Sequence, residues 1–400
     1  MTGNPAKLLL LWTQAWACAA VFFTLLLLCG VWRLRRRQAP PAPSAWPAIA
    51  ILRPCEGAEP DLLANLLSSL RAHYAGPRRV LFLVPDADDP AYAVAAAALA
   101  IARAEGLDAA VVLTAPALRQ NRKVAQLVAG LPCCEEAIVV TVDSDVRLGD
   151  ADLPALVAAL VAAPNVAAAF AAPVEVAPQT LWDRFSAALV GGSPQNFLAL
   201  YGLYGLYGGV PSMAGALCAV RRQALLRCGG FTCLLPYLGE DYELSRRFTA
   251  LGYRVALSRE PARCSDGGRS GAEVIARVAR WLTVVRGQRP LLLLSYPIFM
   301  APTPALLLLA LGFCNLQLGV YAGILLGTRT LLCCALRRTQ ALRRGPLAAV
   351  AEVVAAELLL WAGLMRALRT RRIRWRGHRF RIGRGGLMIP DEPAVSEAAL

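Results

Sequence analysis

From Leu8 the chain runs apolar to Trp32 without an acid or a base, then breaks into Arg33-Leu34-Arg35-Arg36-Arg37. Such a stretch crosses roughly 30 Å of hydrocarbon as one helix. It is too long for the apolar segment of a cleaved leader, lacks a strongly basic start, and is followed by arginines instead of small residues. The arginine run predicts that the residues after it lie on the cytoplasmic side. Residues 38–47 are proline-rich and cannot continue the helix, so they read as a linker.

Between 48 and 289 the pattern changes to short apolar runs separated by Ala/Leu-rich stretches of helix length. Five runs read as buried strands, at 48–54, 78–86, 109–115, 137–145 and 166–176. The fold class expected is α/β with a mostly parallel sheet, in which ligands bind beyond the carboxyl ends of the strands. Residues 196–218 are apolar enough to imitate a span. Their repeated Leu-Tyr-Gly and their proline predict a poor helix, a segment that touches the membrane or lines a ligand.

Apolar character returns at 291–327, broken by Pro297, Pro302 and Pro304, and at 347–365 despite Glu352 and Glu357. The first of these reads as an interfacial helix plus one span or as a tight pair of spans. Arg337, Arg338, Arg343 and Arg344 compete for the inner side with the richer basic tail from Arg366 to Arg381, and the tail is expected to win, one segment lying along the surface. The division expected is 1–37 anchor, 38–47 linker, 48–289 globular domain, 290–368 C-terminal transmembrane or interfacial helices and 369–400 basic cytoplasmic tail.

Composition supports a membrane protein: 57% of residues are hydrophobic and only 17% charged. The net charge of +15 suits anionic headgroups or a phosphate-bearing substrate. It argues less for nucleic acid, because the arginines crowd beside apolar spans. Twelve cysteines without zinc spacing, and only His73 and His378, argue against a zinc site even at Cys228 and Cys233. The thiols read as small buried groups in a reducing compartment.

Carboxylates are few, 27 in 400 residues, and several fall at strand ends. Asp143 and Asp145 end the fourth run two residues apart, where hard oxygens can hold a divalent cation beside a nucleotide diphosphate; an acidic turn is the plain alternative. Asp86, Asp88 and Asp89 end the second run. Asp89 is placed either to meet a base or ribose or to cap a helix starting at Pro90. Arg122 and Lys123 sit in a loop expected on the same side, where one of them can neutralise a diphosphate or simply face water. Glu240 and Asp241 open a helix backed by Leu244, Phe248 and Leu251, a position the helix dipole favours with or without chemistry. Further on, Arg277, Arg280 and Trp281 join a guanidinium pair to an indole, suited to phosphate and to stacking on a sugar or base.

An Asp, then Asp-x-Asp, then Glu-Asp, then Arg-x-x-Arg-Trp, set between an N-terminal span and a C-terminal apolar region, resembles family 2-like inverting glycosyltransferases of the GT-A fold, and within them the ceramide glucosyltransferases. The resemblance runs from about Ile49 to Arg289 and returns in the tail. It implies a UDP-sugar donor, a lipid acceptor, a divalent cation (Mg2+ or Mn2+) and inversion at the sugar. Residue by residue it implies Asp241 as general base, Arg280 and Trp281 as catalytic-motif residues, and Asp143 with Asp145 at the cation. Pro54, Asp89, Lys123, Asp143, Glu240 and Arg277 would bind substrate, Lys123 at the diphosphate. Asp145 is a departure, since ceramide enzymes have Gly there and hopanoid-type bacterial lipid glycosyltransferases resemble this chain instead. The readings kept beside glucosyl transfer to ceramide are another lipid N-acetylglucosaminyl- or glycosyltransferase, a processive polysaccharide synthase, and a non-catalytic lipid carrier or scaffold with an inactive sugar-binding fold.

Overall fold

The computed structural model describes residues 5–391 apart from 117–119, 208–211, 266, 343–344 and 376–377. Arg343 and Arg344 in the basic turn, Arg376 and Gly377 in the tail motif, and 392–400 therefore lie outside the described residues. The chain divides into two compact units. One comprises 39–176, 212–266 and 369–400; the other comprises 1–38, 177–211 and 267–368. Residues 177–211 and 267–289 group with the apolar helices, and the tail from 369 groups with the α/β residues.

The first unit is α/β. In chain order its strands are β1 (Ile49–Pro54), β2 (Arg78–Val84), β3 (Ala109–Leu113), β4 (Ile138–Val142), β5 (Val146–Arg147), β6 (Val166–Phe170), β7 (Pro173–Glu175), β8 (Leu217–Arg221), β9 (Arg254–Leu257), β10 (Ala262–Cys264), β11 (Arg372–Trp375), β12 (His378–Ile382) and β13 (Met388–Pro390). Seven of them form one sheet in the order β3-β2-β1-β4-β8-β6-β9. Its pairs are parallel except where β8 runs antiparallel to β4 and β6. Every residue of β1 and β4 is buried, as expected of strands covered on both faces. The helices Leu62–Arg71, Pro90–Ala104 and Asp152–Val161 supply Leu66, Leu70, Ala95, Ala98 and Leu156 to the core. The mostly parallel α/β class is present, and four of the five expected runs each supply one strand of this sheet; the fifth, 166–176, divides into β6 in this sheet and β7 in a three-stranded sheet with β5 and β10.

β8 was not expected, because 217–221 merges into the longer apolar stretch before it. Its direction has a consequence: the start of β8 lies at the same sheet edge as the ends of β1, β2 and β4. The Asp143 N–H donates to Ala216 O at 2.9 Å, fastening the two there.

The second unit is helical. Three helices, Lys7–Arg36, Leu316–Thr339 and Pro346–Arg369, are long and apolar enough to cross a membrane, and the pair Pro290–Met300 and Thr303–Gly312, bent by 59°, makes four if counted as one span. Leu11, Trp12, Leu308, Leu311, Leu316 and Leu347 are all more than 60% exposed, an apolar outer surface that suits lipid. Residues Phe197–Tyr207 form a helix where a poor one was expected. Glycine's low propensity is a cost measured in water, whereas here Gly202 packs on Gly30 so closely that a Cβ would stand 2.6 Å from the Gly30 carbonyl carbon.

Inside this unit the charges pair. Arg337 Nε lies 2.8 Å from Glu352 Oε2 and Arg329 Nε 3.3 Å from Glu357 Oε1. Glu357 also accepts from the Thr303 N–H and hydroxyl at 2.9 and 3.0 Å, while Arg329 donates to Met300 O at 2.7 Å and to Phe299 O. Arg337 is thus spent on an internal partner as well as bearing on sidedness. Glu357→Leu leaves a buried guanidinium unpaired and is expected to cost about 3–5 kcal/mol, while Arg329→Met combined with Glu357→Leu recovers most of it. Thermal unfolding of the three variants in detergent checks this; equal losses in the single and double variants would contradict it.

Candidate active site

The carboxyl ends of β1, β2 and β4 and the start of β8 hold most of the expected side chains in one unit. After β4 the chain turns through Asp143, Ser144 and Asp145 into β5, with the Val146 N–H donating to Asp143 O at 3.0 Å. Lys123 was expected in a loop. Instead it stands in the first turn of the helix Arg122–Gly130, because Asn121 caps that helix by accepting the Val124 N–H. From there its Nζ reaches Asp143 Oδ1 at 2.6 Å and Glu240 Oε1 at 3.0 Å, and donates to Gly215 O at 3.3 Å. Burial opposes the Lys123 charge, but Asp143 and Glu240 outweigh it and hold the ammonium above the ordinary lysine value.

Glu240 and Asp241 begin the helix Glu240–Ala250, as expected. Asp241 is half-buried and accepts from the Gly215 N–H at 3.0 Å and from the Tyr242 N–H at 2.7 Å. Desolvation, with Glu240 beside it, pushes the Asp241 carboxyl up to about 7, although Lys123 and the two N–H groups pull the other way. The missing side chain of Gly215 eases the packing here, since a Cβ would meet Lys123 Nζ at 3.2 Å and Asp241 Cβ at 3.3 Å.

Asp89 does cap the helix Pro90–Ala104, its Oδ1 accepting the Ala91 N–H at 2.8 Å. The same oxygen accepts the Gly57 N–H at 2.8 Å and so ties down the loop after Pro54. Glu56 in that loop pairs with Arg122 at 2.5 Å, and Gln126 donates to Cys55 O at 3.2 Å. Arg277, Arg280 and Trp281 belong to the other unit, on the helix Gly271–Gln288, with Arg277 Cζ 4.9 Å from the Trp281 ring centroid.

Sequence reasoning missed the groups behind the acidic turn. Arg53 is fully buried in β1 and donates to the carbonyls of Asp143, Ser144 and Val146 at 3.0, 3.2 and 2.9 Å, and to Ser69 Oγ at 2.8 Å. Asn65 donates to Ser144 O at 3.0 Å, and Ser265 donates to Asp145 O through its N–H at 2.8 Å and its hydroxyl at 3.2 Å. Every carbonyl from Asp143 to Val146 is therefore held from beneath, which fixes where the two carboxylates leave the turn. An arginine within an apolar run gives no sequence signal for this, because three of its four partners are backbone carbonyls.

Among the described residues no group of three or more His, Cys, Asp or Glu is built to hold a metal ion. The donor set nonetheless suits a hard cation that completes its shell with ligand oxygens. Asp143 and Asp145 are half-buried carboxylates on a rigid turn, and with Glu240 and Asp241 the acids outnumber Lys123 and Arg53.

A model of glycosyl transferase family 21 matches residues 12–388. The chain belongs to glycosyl transferase family 21. Among proteins similar to this family 21 chain is ceramide glucosyltransferase 1 of Caenorhabditis elegans, 22% identical over 269 residues that cover 67% of this chain and 56% of the worm protein. Ceramide glucosyltransferase 3 of the same organism is 32% identical over 79 residues, covering 20% of this chain and 17% of that one. The chain thus spans little more than half of the first relative's length. Among solved structures, a mannosyltransferase from Pyrobaculum calidifontis in complex with GDP-Man and Mn2+ superposes with a TM-score of 0.47 at 17% identity, covering 89% of this chain and 99% of that one. Glucosyl-3-phosphoglycerate synthase from Mycobacterium tuberculosis, with Mn2+ and UDP, gives 0.36 at 17% identity over 60% and 79%. The α/β class and mostly parallel sheet agree with the GT-A type that the motif order implies.

The raised Asp241 value also bears on stability. A carboxyl held higher in the folded chain than in the unfolded one contributes stability at low pH that is lost as pH rises through about 7. Asp241→Asn is therefore expected to match the parent in acid and to exceed it above neutrality, by up to about 4 kcal/mol. Apparent Tm against pH checks the sign; a variant less stable at alkaline pH would contradict it.

Proposed function

We propose that this chain transfers a hexosyl group, glucose from UDP-glucose, to the hydroxyl of a membrane lipid such as ceramide, with inversion. The observation that carries the reading is the carboxyl of Asp241, raised to about 7 and standing 3.0 Å from the Gly215 N–H in the same cluster as Lys123 and Asp143. A base is most effective when its proton affinity matches working pH, and this one is held there by burial and by Glu240.

Asp143 and Asp145 would hold the divalent cation; when bound, it supplies charge that stabilises the departing diphosphate. Lys123, already shared between Asp143 and Glu240, adds an ammonium at the same place. Asp89 fixes the loop after Pro54, where the donor's nucleoside is placed by the motif. Asp241 takes the lipid hydroxyl proton as that oxygen attacks the anomeric carbon from the side opposite the diphosphate. Arg277, Arg280 and Trp281 enter the proposal on the motif alone. The apolar helices anchor the chain, with the α/β unit on the cytoplasmic side according to the arginine run after Trp32.

Purified protein in detergent with UDP-glucose, ceramide and Mg2+ or Mn2+ should release UDP and yield a glucosylated lipid identifiable by mass. Asp241→Asn should lower turnover about 10²- to 10⁴-fold while UDP-glucose binding is retained. Loss of binding would instead make Asp241 part of the scaffold, and a product carrying many sugars would favour a processive synthase. Because Asp241 must be ionised to act, the rate should climb with pH and level off above about 7. A rate that falls across that range would contradict the assignment.

A further inference from the structure

We propose that one face of the C-terminal β-ribbon is a docking surface for the anionic phospholipid headgroups of the bilayer. β11 and β12 pair antiparallel with Arg372 opposite Arg381 and Arg374 opposite Arg379. All four arginines are exposed, whereas Ile373, Phe380 and Ile382, which alternate with them, are buried on the other face with Met388. Like charges placed directly across a ladder destabilise it, since opposed Cα atoms lie only about 4.5–5.5 Å apart. Asp391 answers one of the four, pairing with Arg372 at 2.8 Å. Two opposed pairs of guanidiniums on one face call for an extended anionic partner rather than a single small ion.

Chain continuity selects the bilayer as that partner. β11 starts at Arg372, directly after the helix Pro346–Arg369, which is long and apolar enough to cross a membrane. The connecting residues span at most about 10 Å, so the ribbon is leashed to that helix end. Juxtamembrane arginines on the cytoplasmic side gain from the negative surface potential there.

The back of the ribbon rests on residues that lead into the candidate site. Met388 N–H donates to Pro236 O at 2.8 Å, Leu387 bridges to Tyr237, and Leu238 packs into the ribbon's apolar cluster. Asn121 donates to Tyr237 O at 2.8 Å and to Glu240 Oε2 at 3.3 Å. A headgroup-bound ribbon therefore steadies 236–238 and, through it, the start of the helix bearing Glu240 and Asp241.

The test uses the full chain in nanodiscs of phosphatidylcholine alone or mixed with phosphatidylglycerol, read by amide hydrogen exchange. Anionic discs should slow exchange at 372–382 and at 236–243 several-fold, and high salt should reverse the effect. R372Q/R374Q/R379Q/R381Q should abolish the difference, while R103Q/R254Q, which removes exposed arginines elsewhere, should keep it. Protection at the buried β1 and β4 amides reports whether the fourfold variant has folded; if it has not, R374Q/R379Q replaces it and should at least halve the difference. Equal exchange in both discs, protection that survives the arginine substitutions, or protection reproduced in phosphatidylcholine discs by inorganic phosphate would each overturn the proposal.

Discussion

A single ammonium held between two carboxylates governs the arrangement. Lys123 joins the helix after β3, the turn after β4 and the helix carrying Glu240 and Asp241, since its Nζ lies 2.6 Å from Asp143 and 3.0 Å from Glu240. Without that ammonium Asp143 and Glu240 would face each other with no cation between them, so the three elements are bound to one geometry. The same cluster sets the chemistry. Desolvation, with the neighbouring Glu240 added, lifts the Asp241 carboxyl to about 7 against the pull of Lys123.

Sheet direction makes this possible. Parallel strands β1, β2 and β4 deliver their carboxyl ends to one edge, and the reversal at β8 brings Gly215 and Ala216 to the same edge from the other side. Gly215 then donates to Asp241 and accepts from Lys123, and its missing side chain leaves room for both. Arg53, Asn65 and Ser265 fix the acidic turn from beneath, so that carboxylates able to meet a cation stand on backbone that does not have to reorganise.

How much of this was legible in the sequence follows from the kind of signal each part leaves. Short apolar runs ending in turn residues disclosed β1, β2, β3, β4 and β6, the acids after β4 disclosed Asp143 and Asp145, and the acids opening an amphipathic helix disclosed Glu240 and Asp241. β8 was hidden because its five residues continue an apolar stretch, and the helix Phe197–Tyr207 because propensity in water misjudges a glycine that packs on another helix. Asn121, Arg53 and Ser265 were invisible for a different reason. Their partners include backbone carbonyls far away in sequence, and no residue pattern encodes such contacts. The tail's arginines were legible as charge, but their alignment on one face became apparent only with the β11–β12 register.

The most direct measurement is an infrared titration of the Asp241 carboxyl, isotope-labelled, in the parent chain and in Glu240→Gln and Lys123→Met. The parent should titrate near 7, lower in Glu240→Gln where the neighbouring charge is gone, and higher in Lys123→Met where the ammonium is gone. A carboxyl that titrates in the ordinary range near 4 in all three chains would show that the cluster does not act on Asp241 at all.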